Sequence, residues 1–166
     1  NQMNIPSGER KCAVRINPGV GAGHHEKVVT GGKKTKFGIA EYDIPHIFEI
    51  ASKYGVRIAG INQRIGSLFM DPQPYLDAVT NLLRIAEGFK DLDFIDFGGG
   101  YGIPYHKLND EKDFPMEDFK ARLEPLLDDF VARYGKTPLF KSEPGRFCVA
   151  EGSVILGRVH ATKENS

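Results

Sequence analysis

The feature that most constrains this chain of 166 residues is a regular alternation of short apolar segments with amphipathic helical segments. Short runs rich in β-branched and aromatic residues, each followed by a glycine, proline or polar turn, are typical of strands. They cover residues 12–16, 35–38, 56–61, 93–97 and 138–141. Helical periodicity covers 44–54, 72–87 and 116–134. Because strands that alternate with helices form parallel sheets, the pattern predicts an α/β fold.

The position of the glycine-rich and polar clusters distinguishes two parallel-sheet architectures. Each cluster follows directly after a predicted strand. Barrel enzymes collect their chemistry at the rim formed by the carboxyl ends of all their strands, whereas a doubly wound sheet concentrates it at one switch point. The sequence therefore favours part of a (β/α) barrel over a doubly wound sheet.

The charge distribution argues against several classes of partner. Lys+Arg and Asp+Glu number 22 each, so no concentrated positive face for nucleic acid is predicted. No apolar run approaches the ~20 residues of a membrane span. We therefore expect a soluble, cytoplasmic protein without nucleic-acid or membrane partners. Cys12 and Cys148 lie far apart in apolar surroundings, and we expect both to be buried free thiols.

A glycine triplet, Gly98-Gly99-Gly100, follows the fourth predicted strand. Adjacent residues without side chains allow backbone N–H groups to turn together toward an anion, which suits a phosphate. The spacing does not match the dinucleotide-binding fingerprint, because Ile103 stands at the last glycine position of that motif. Taken alone, the triplet is equally compatible with a phosphate cradle and with a tight structural turn.

The segment from Glu143 to Arg146 follows the last predicted strand. The bend at Pro144-Gly145 can place the carboxylate and the guanidinium in one pocket mouth. The alternative is a surface ion pair, worth about 0–1 kcal/mol. Ser67 adds a hydroxyl after another predicted strand. Because strand ends share one rim in a barrel, these groups together predict a pocket for a small phosphorylated cofactor.

Other conspicuous side chains carry less weight. His24 and His25 have no third ligand at helical spacing, so no metal site is predicted. The lysines within 33–36 are interpreted as solvated or rim charges. Three further residues are expected to lie at a loop surface or to line the pocket, namely Tyr101, Tyr105 and His106.

In their order along the chain, these motifs resemble the diaminopimelate branch of the fold type III, or alanine-racemase-like, pyridoxal-phosphate decarboxylases. The resemblance extends over essentially the whole chain, and the ordered set is far more specific than any single motif. The stretches that carry it are residues 15–19, 23–25, Lys27, 30–31, 36–39, 65–67, 96–105 and 143–146.

The resemblance implies pyridoxal 5'-phosphate as the cofactor and assigns residues to it. In the family the glycine triplet holds the phosphate, here with help from Ser67 and the backbone around Gly145 and Arg146. Glu143 matches the glutamate that faces the pyridine nitrogen, and Arg146 also matches a substrate-contacting arginine. The cofactor-binding residues implied in this way are Arg64, Ser67, Gly98, Gly99, Gly100, Glu143, Pro144, Gly145 and Arg146.

The implied reaction is decarboxylation of meso-2,6-diaminopimelate to L-lysine and CO₂, in lysine biosynthesis, by a full-length homodimer. A carboxylate beside the pyridine nitrogen keeps it protonated, so that the ring accepts the electron pair left by the departing CO₂. Two alternatives remain open at this point. One is another basic amino-acid or polyamine-pathway decarboxylase, acting on ornithine, arginine or carboxynorspermidine, and the other is a catalytically silent barrel scaffold.

The sequence departs from the family pattern in two respects. The family's His-x-His is replaced by Asn62-Gln63-Arg64, so Arg64 stands where a histidine stacks on the cofactor ring. Because an arginine over a pyridinium brings like charges face to face, we predict weaker cofactor binding or slower chemistry. The family's Schiff-base lysine and C-terminal cysteine have no counterpart here. Residues 1–166 are therefore expected to form roughly the second half of the barrel domain, without catalytic residues and inactive alone.

Overall fold

The computed structural model describes residues 5–6, 9–17, 19, 22–23, 36–105 and 111–164. Its strands are β1 (Lys11–Arg15), β2 (Ala22–Gly23), β3 (Arg57–Asn62), β4 (Gly66–Ser67), β5 (Phe94–Asp96) and β6 (Leu139–Lys141). Four of them form one sheet in the order β1–β3–β5–β6, and β2 pairs with β4 separately. Every pairing is parallel, which confirms the predicted α/β fold.

The helices are α1 (Ile44–Lys53), α2 (Gln73–Ala86), α3 (Met116–Tyr134) and α4 (Gly145–Val149). The Asp71 carboxylate accepts a hydrogen bond from the amide of Gln73 (2.9 Å), the first residue of α2, and so satisfies one of the free N–H groups at the start of this helix. Gly135 ends α3 with a φ of +73°, a left-handed conformation that glycine adopts without steric cost. The three long helices lie where the periodicity predicts them.

The predicted strand over 35–38 is wrong for its described residues, 36–38, which form a bend. Gly38 has a φ of +78°, and a Cβ at this position would lie 2.7 Å from the Asn17 nitrogen. The close approach of two backbones therefore turns the chain here instead of extending it. Only the next residue, Ile39, makes an isolated parallel bridge, to Ile16.

Both cysteines are exposed free thiols, so the expectation that they are buried is wrong. Cys12 belongs to β1, which lies at an edge of the four-stranded sheet. Cys148 belongs to α4, a short helix without buried residues. Apolar neighbours in the sequence therefore do not bury a side chain when its strand or helix lies at the periphery of the fold.

The hydrophobic core lies between the sheet and the long helices. Ile61 and Ile95, neighbours in the β3–β5 register, are both fully buried. Phe130 is fully buried on α3, and its ring centroid lies 6.1 Å from that of Phe140 on β6. The alternate residues of the outer strands, such as Leu139 at 61% exposure, are open to solvent. Helices therefore cover one face of the described sheet.

The longest described helix, α3, contains charged residues throughout and the internal Pro125. Within the described ranges, no helix combines the length and the apolar character needed to cross a bilayer.

Candidate functional site

Three polar segments meet at the carboxyl ends of the parallel strands. Arg146 Nη2 donates to Ser67 Oγ over 3.2 Å, which joins groups 79 residues apart in the sequence. The Glu143 amide donates to the carbonyl oxygen of Gly98 over 2.9 Å, which joins the ends of β6 and β5. The structure therefore brings together the hydroxyl, the glycine triplet and the Glu-Pro-Gly-Arg turn.

Each glycine of the triplet is packed against a neighbouring backbone that leaves no room for a side chain. A Cβ on Gly98 would overlap the carbonyl that follows β3, and one on Gly99 would overlap the carbonyl of Glu143. One on Gly100 would lie 2.5 Å from the carbonyl oxygen of Gly66. Gly98 and Gly100 also have positive φ values, +75° and +112°. The triplet is thus a tight structural turn, as one of the two sequence-based interpretations predicts.

The same turn leaves backbone donors unpaired. The Gly98 amide donates to the Asp96 carboxylate over 2.8 Å. The amides of Gly99 and Gly100 have no acceptor among the described residues, although Gly99 is buried and Gly100 half-buried. Unpaired buried amides are rare, because each costs about 1–3 kcal/mol. Successive unpaired amides in a turn make an anion-binding concavity, so the tight turn also has the geometry of a phosphate cradle.

The carbonyl of Gly98 faces the opposite way, toward buried hydroxyl groups. Tyr75 donates to this oxygen over 3.2 Å, and the hydroxyl of Tyr101 lies 2.9 Å from that of Tyr75. Tyr101 is only 5% exposed, so the expectation that it lies at a loop surface or lines the pocket is wrong. Its aromatic neighbours Phe69 and Phe114 come from other loops, and no local sequence pattern identifies them.

The guanidinium of Arg146 is held by hydroxyl groups. Besides Ser67, it donates from Nη1 to the Tyr105 hydroxyl over 3.1 Å, and it lies 5.9 Å from the centroid of that ring. Tyr105 is exposed, which agrees with the expectation that it lies at a loop surface or lines the pocket. No salt bridge joins Arg146 to Glu143 in the part of the chain that the structure describes. The ion-pair alternative for this segment is therefore not found.

Pro144 directly precedes α4, and Gly145 is the first residue of this helix. The amide of Gly145 donates to the carbonyl of Glu143 over 2.9 Å, so it is already paired within the turn. A Cβ at Gly145 would meet no atom within 4 Å, which shows that this glycine lies in open space.

Arg15 belongs to the same end of the sheet, although no sequence motif assigns a role to it. Burial and the nearby Arg64 lower the pKa of its guanidinium, and the carboxylate of Glu143 opposes this shift. Its Nη2 atom is buried without a hydrogen-bond partner among the described residues, while the guanidinium lies 5.0 Å from the ring centroid of Phe37. Its position as the last residue of β1 is the signal that would have identified it.

The three residues that replace the family's His-x-His differ sharply in environment. Arg64 is exposed and Asn62 is half-buried. Gln63 is fully buried, and neither atom of its amide has a hydrogen-bond partner among the described residues. Arg64 is therefore the most exposed member of this triplet, and it lies close enough to Arg15 to lower the pKa of that guanidinium.

In the described ranges, no three His, Cys, Asp or Glu side chains are grouped in a way that suits a metal ion. His24, His25, Lys33, Lys34 and His106 lie outside the described residues.

Comparison with known proteins identifies the sequences and structures that this chain is similar to. Residues 2–150 match the family model of the pyridoxal-dependent decarboxylases, pyridoxal binding domain. Diaminopimelate decarboxylase of Methanothermobacter thermautotrophicus is 39% identical over 166 residues, covering 96% of this chain and 38% of that protein. The diaminopimelate decarboxylase of Archaeoglobus fulgidus is 33% identical over 162 residues, covering 94% of this chain and 38% of that protein.

Among solved structures, diaminopimelate decarboxylase from Helicobacter pylori complexed with L-lysine matches with a TM-score of 0.72 and 31% identity. The match covers 85% of this chain and 35% of that chain. This chain thus spans little more than a third of the length of these relatives.

Proposed function

Because this chain belongs to the pyridoxal-dependent decarboxylases and its sheet and helices are part of their (β/α) barrel, we propose that it binds pyridoxal 5'-phosphate at the ends of β4, β5 and β6. We further propose that the complete protein decarboxylates meso-2,6-diaminopimelate to L-lysine and CO₂, as a cytoplasmic homodimer. The substrate is supported by the diaminopimelate decarboxylases at 39% and 33% identity and by the lysine complex of the Helicobacter pylori relative.

The observation that carries the cofactor proposal is the pair of unpaired amides at Gly99 and Gly100, beside the Arg146–Ser67 hydrogen bond. A phosphate monoester has about 1.5 to 2 negative charges and three acceptor oxygens. Backbone amides, a hydroxyl and a guanidinium together satisfy such a group with charge-assisted hydrogen bonds. The residues present therefore fit the phosphate of the proposed cofactor.

Glu143 is proposed to hold a proton on the pyridine nitrogen. It is exposed, and its own amide is bonded to Gly98, so its position relative to the phosphate turn is set by the backbone. The cofactor supplies an electron sink for the pair released when a carboxylate leaves as CO₂, and a nearby carboxylate favours the protonated ring that this requires.

Arg146 is proposed to bind an anionic group of the cofactor or the substrate. Its half-buried guanidinium already donates to two neutral hydroxyls, on Ser67 and Tyr105. Carboxylate and phosphate oxygens are stronger acceptors than hydroxyls, and the planar guanidinium binds them in a bidentate manner. An incoming anion therefore gains a donor whose orientation is set before binding.

The test uses the complete protein with meso-2,6-diaminopimelate, measuring L-lysine and CO₂ together with the visible absorbance of bound cofactor. We expect cofactor binding and L-lysine formation, and no comparable turnover of ornithine or arginine. Preferential turnover of ornithine or arginine would assign the protein to another decarboxylase of this family. Absence of bound cofactor would favour a silent scaffold and contradict the proposal.

A further inference from the structure

We propose that Tyr75, Tyr101 and Ser142 form a hydroxyl network that orients the peptide between Gly98 and Gly99, and thereby aims the Gly99 amide at the cofactor phosphate. The three are positioning residues, which act on the cofactor through the glycine turn. The inference rests on the proposed function, since it concerns how the same turn binds its anion.

The network converges on one carbonyl oxygen, that of Gly98. The hydroxyls of Tyr75 and Ser142 donate to it over 3.2 and 3.1 Å, and the amide of Glu143 donates over 2.9 Å. The Tyr101 hydroxyl links the other two, since it donates to Tyr75 over 2.9 Å and lies 2.9 Å from Ser142 Oγ. Residues from α2, the glycine turn and the end of β6 thus restrain a single peptide group.

The orientation of this carbonyl determines the orientation of the next amide. In a trans peptide the C=O group and the following N–H group point in opposite directions. Because the Gly98 oxygen is turned toward the buried tyrosines, the Gly99 N–H is turned away from them. This amide is one of the two in the turn that have no acceptor among the described residues. A restraint on one side of the peptide therefore sets the donor on the other side.

Such a restraint is needed because glycine has little conformational preference of its own. Gly98 has a φ of +75°, a region that glycine enters as readily as negative φ values. Without partners, the Gly98–Gly99 peptide can rotate and withdraw its N–H from the rim. Three donors on its oxygen make that rotation costly, since each would lose its acceptor.

The proton count of the network predicts which hydroxyls matter most. The three hydroxyls have three protons for four contacts. With Tyr101 donating to Tyr75, the proton of Tyr75 goes to the Gly98 oxygen. The proton of Ser142 also goes to the Gly98 oxygen, which as a carbonyl can only accept. Loss of the Tyr75 or Ser142 hydroxyl therefore removes a donor to the Gly98 oxygen. Loss of the Tyr101 hydroxyl leaves both donors in place.

The surroundings keep the phenols in their donor form. Tyr75 is fully buried and Tyr101 is 5% exposed, and burial raises the pKa of both hydroxyls. Aromatic rings pack around the pair, with the Phe69 centroid 5.2 Å from Tyr75 and the Phe119 centroid 5.7 Å from Tyr101. Both phenols therefore remain protonated across the physiological pH range.

The experiment compares the affinity of the complete apoprotein for pyridoxal 5'-phosphate and for pyridoxal, which lacks the phosphate, by spectroscopic titration. In the Tyr75→Phe and Ser142→Ala variants we expect the preference for the phosphorylated form to fall about three- to tenfold, as loss of one hydrogen bond predicts. In Tyr101→Phe we expect a smaller fall. Affinity for pyridoxal itself should stay within about twofold in all three variants.

Tyr134→Phe is the matched control, because Tyr134 donates to Phe89 and accepts from Leu92 away from the turn. It should leave the preference unchanged. If the network only stabilised the fold, the variants would rank differently. Substitution of the buried Tyr101 would then lower affinity more than substitution of the exposed Ser142. Affinity for pyridoxal 5'-phosphate and for pyridoxal would fall by the same factor. Equal weakening, or an unchanged preference in Tyr75→Phe and Ser142→Ala, overturns the inference. Failure of the proposed function would be seen in the unaltered protein, which would then show no preference for pyridoxal 5'-phosphate over pyridoxal.

Discussion

At Gly99 the backbone carbonyl of Glu143 occupies the space in which any side chain would begin. The same residue has an amide without an acceptor in the part of the chain that the structure describes. Packing therefore requires glycine at this position, and the proposed phosphate binding would require it for a different reason. Substitution of Gly99 tests both requirements. A displaced turn loses its close packing against Glu143, and the Gly99 amide loses its alignment.

Gly99→Ala is expected to lower the affinity for pyridoxal 5'-phosphate at least about tenfold, because the added methyl group pushes the turn away from Glu143. Overpacking typically costs about 1–3 kcal/mol, so the Tm should also fall by several degrees. Cofactor titration and thermal unfolding measure the two effects. Gly152→Ala is the control, since a Cβ there meets no atom within 4 Å. An unchanged affinity in Gly99→Ala would exclude the turn from the binding site.

Arg64→His is expected to raise cofactor affinity or the turnover rate of the complete protein. The exposed Arg64 brings a positive charge near Arg15, and it would bring the same charge to a pyridinium ring. A neutral imidazole removes the repulsion and still stacks. Arg158→His, in the exposed segment after α4, should change neither quantity. If Arg64→His gives no gain in affinity or rate, Arg64 is not a defect of the site.

At the scale of elements, ion pairs join neighbouring strands at the end of the sheet opposite the candidate site. Asp93, just before β5, accepts hydrogen bonds from Lys11 at the start of β1 (3.1 Å) and from Arg57 at the start of β3 (2.5 Å). One carboxylate thus links the amino ends of three adjacent strands. These bonds lower the pKa of Asp93 to about 2, with Arg57 as the larger cause.

Asp93→Asn is expected to lower the Tm at pH 7, because the link to Arg57 and Lys11 loses its charge. The carboxyl pKa is about 2 in the folded state and about 3.9 in an unfolded chain. The stabilisation is therefore complete above about pH 4 and is lost as the pH falls through about 2. Thermal unfolding across this pH range should show that the difference in Tm between the unaltered protein and Asp93→Asn shrinks as the pH falls. Asp128→Asn, at an exposed position on α3, should show no such gap. A difference in Tm that does not change with pH would contradict the assignment of this stabilisation to the ionised carboxylate of Asp93.

At the scale of the whole molecule, the helices cover one face of the sheet, and the other face, here called the open face, is exposed at the two edge strands of the described sheet. Leu139 on β6 is 61% exposed, and Ala13 on β1 is also exposed. These two strands form the edges of the four-stranded sheet. After α4, Val154, Ile155 and Leu156 are at least 92% exposed. Exposed strand edges and apolar side chains favour association with other chains.

The purified chain of 166 residues is therefore expected to dimerise or form larger assemblies. Leu139→Lys should shift it toward monomer, since a charge on the open face opposes its burial. Light scattering coupled to size exclusion measures the effect. Ile50→Lys on α1, where the replaced side chain is 41% exposed, controls for added charge alone. A dilute monomer of the unaltered chain would show that the open face does not drive association.

The sequence by itself determined the three long helices, four of the five predicted strands and the order of the motifs. The periodicity locates α3 at residues 116–134, where the structure has it, because helical repetition is encoded within one segment. It also places each candidate site segment after a strand. Parallel strands then bring these segments to one edge, so the meeting of Ser67, Gly98 and Arg146 was predictable in outline.

Only the tertiary structure decided which atoms meet. The Arg146–Ser67 hydrogen bond joins residues 79 positions apart, and the buried position of Tyr101 depends on rings from separate loops. Arg15 enters the site only because β1 and β6 end at the same side of the sheet. Such contacts depend on strand register and on how loops pack across the sheet. Those long-range interactions leave no periodic pattern in the chain, so local sequence patterns do not predict them.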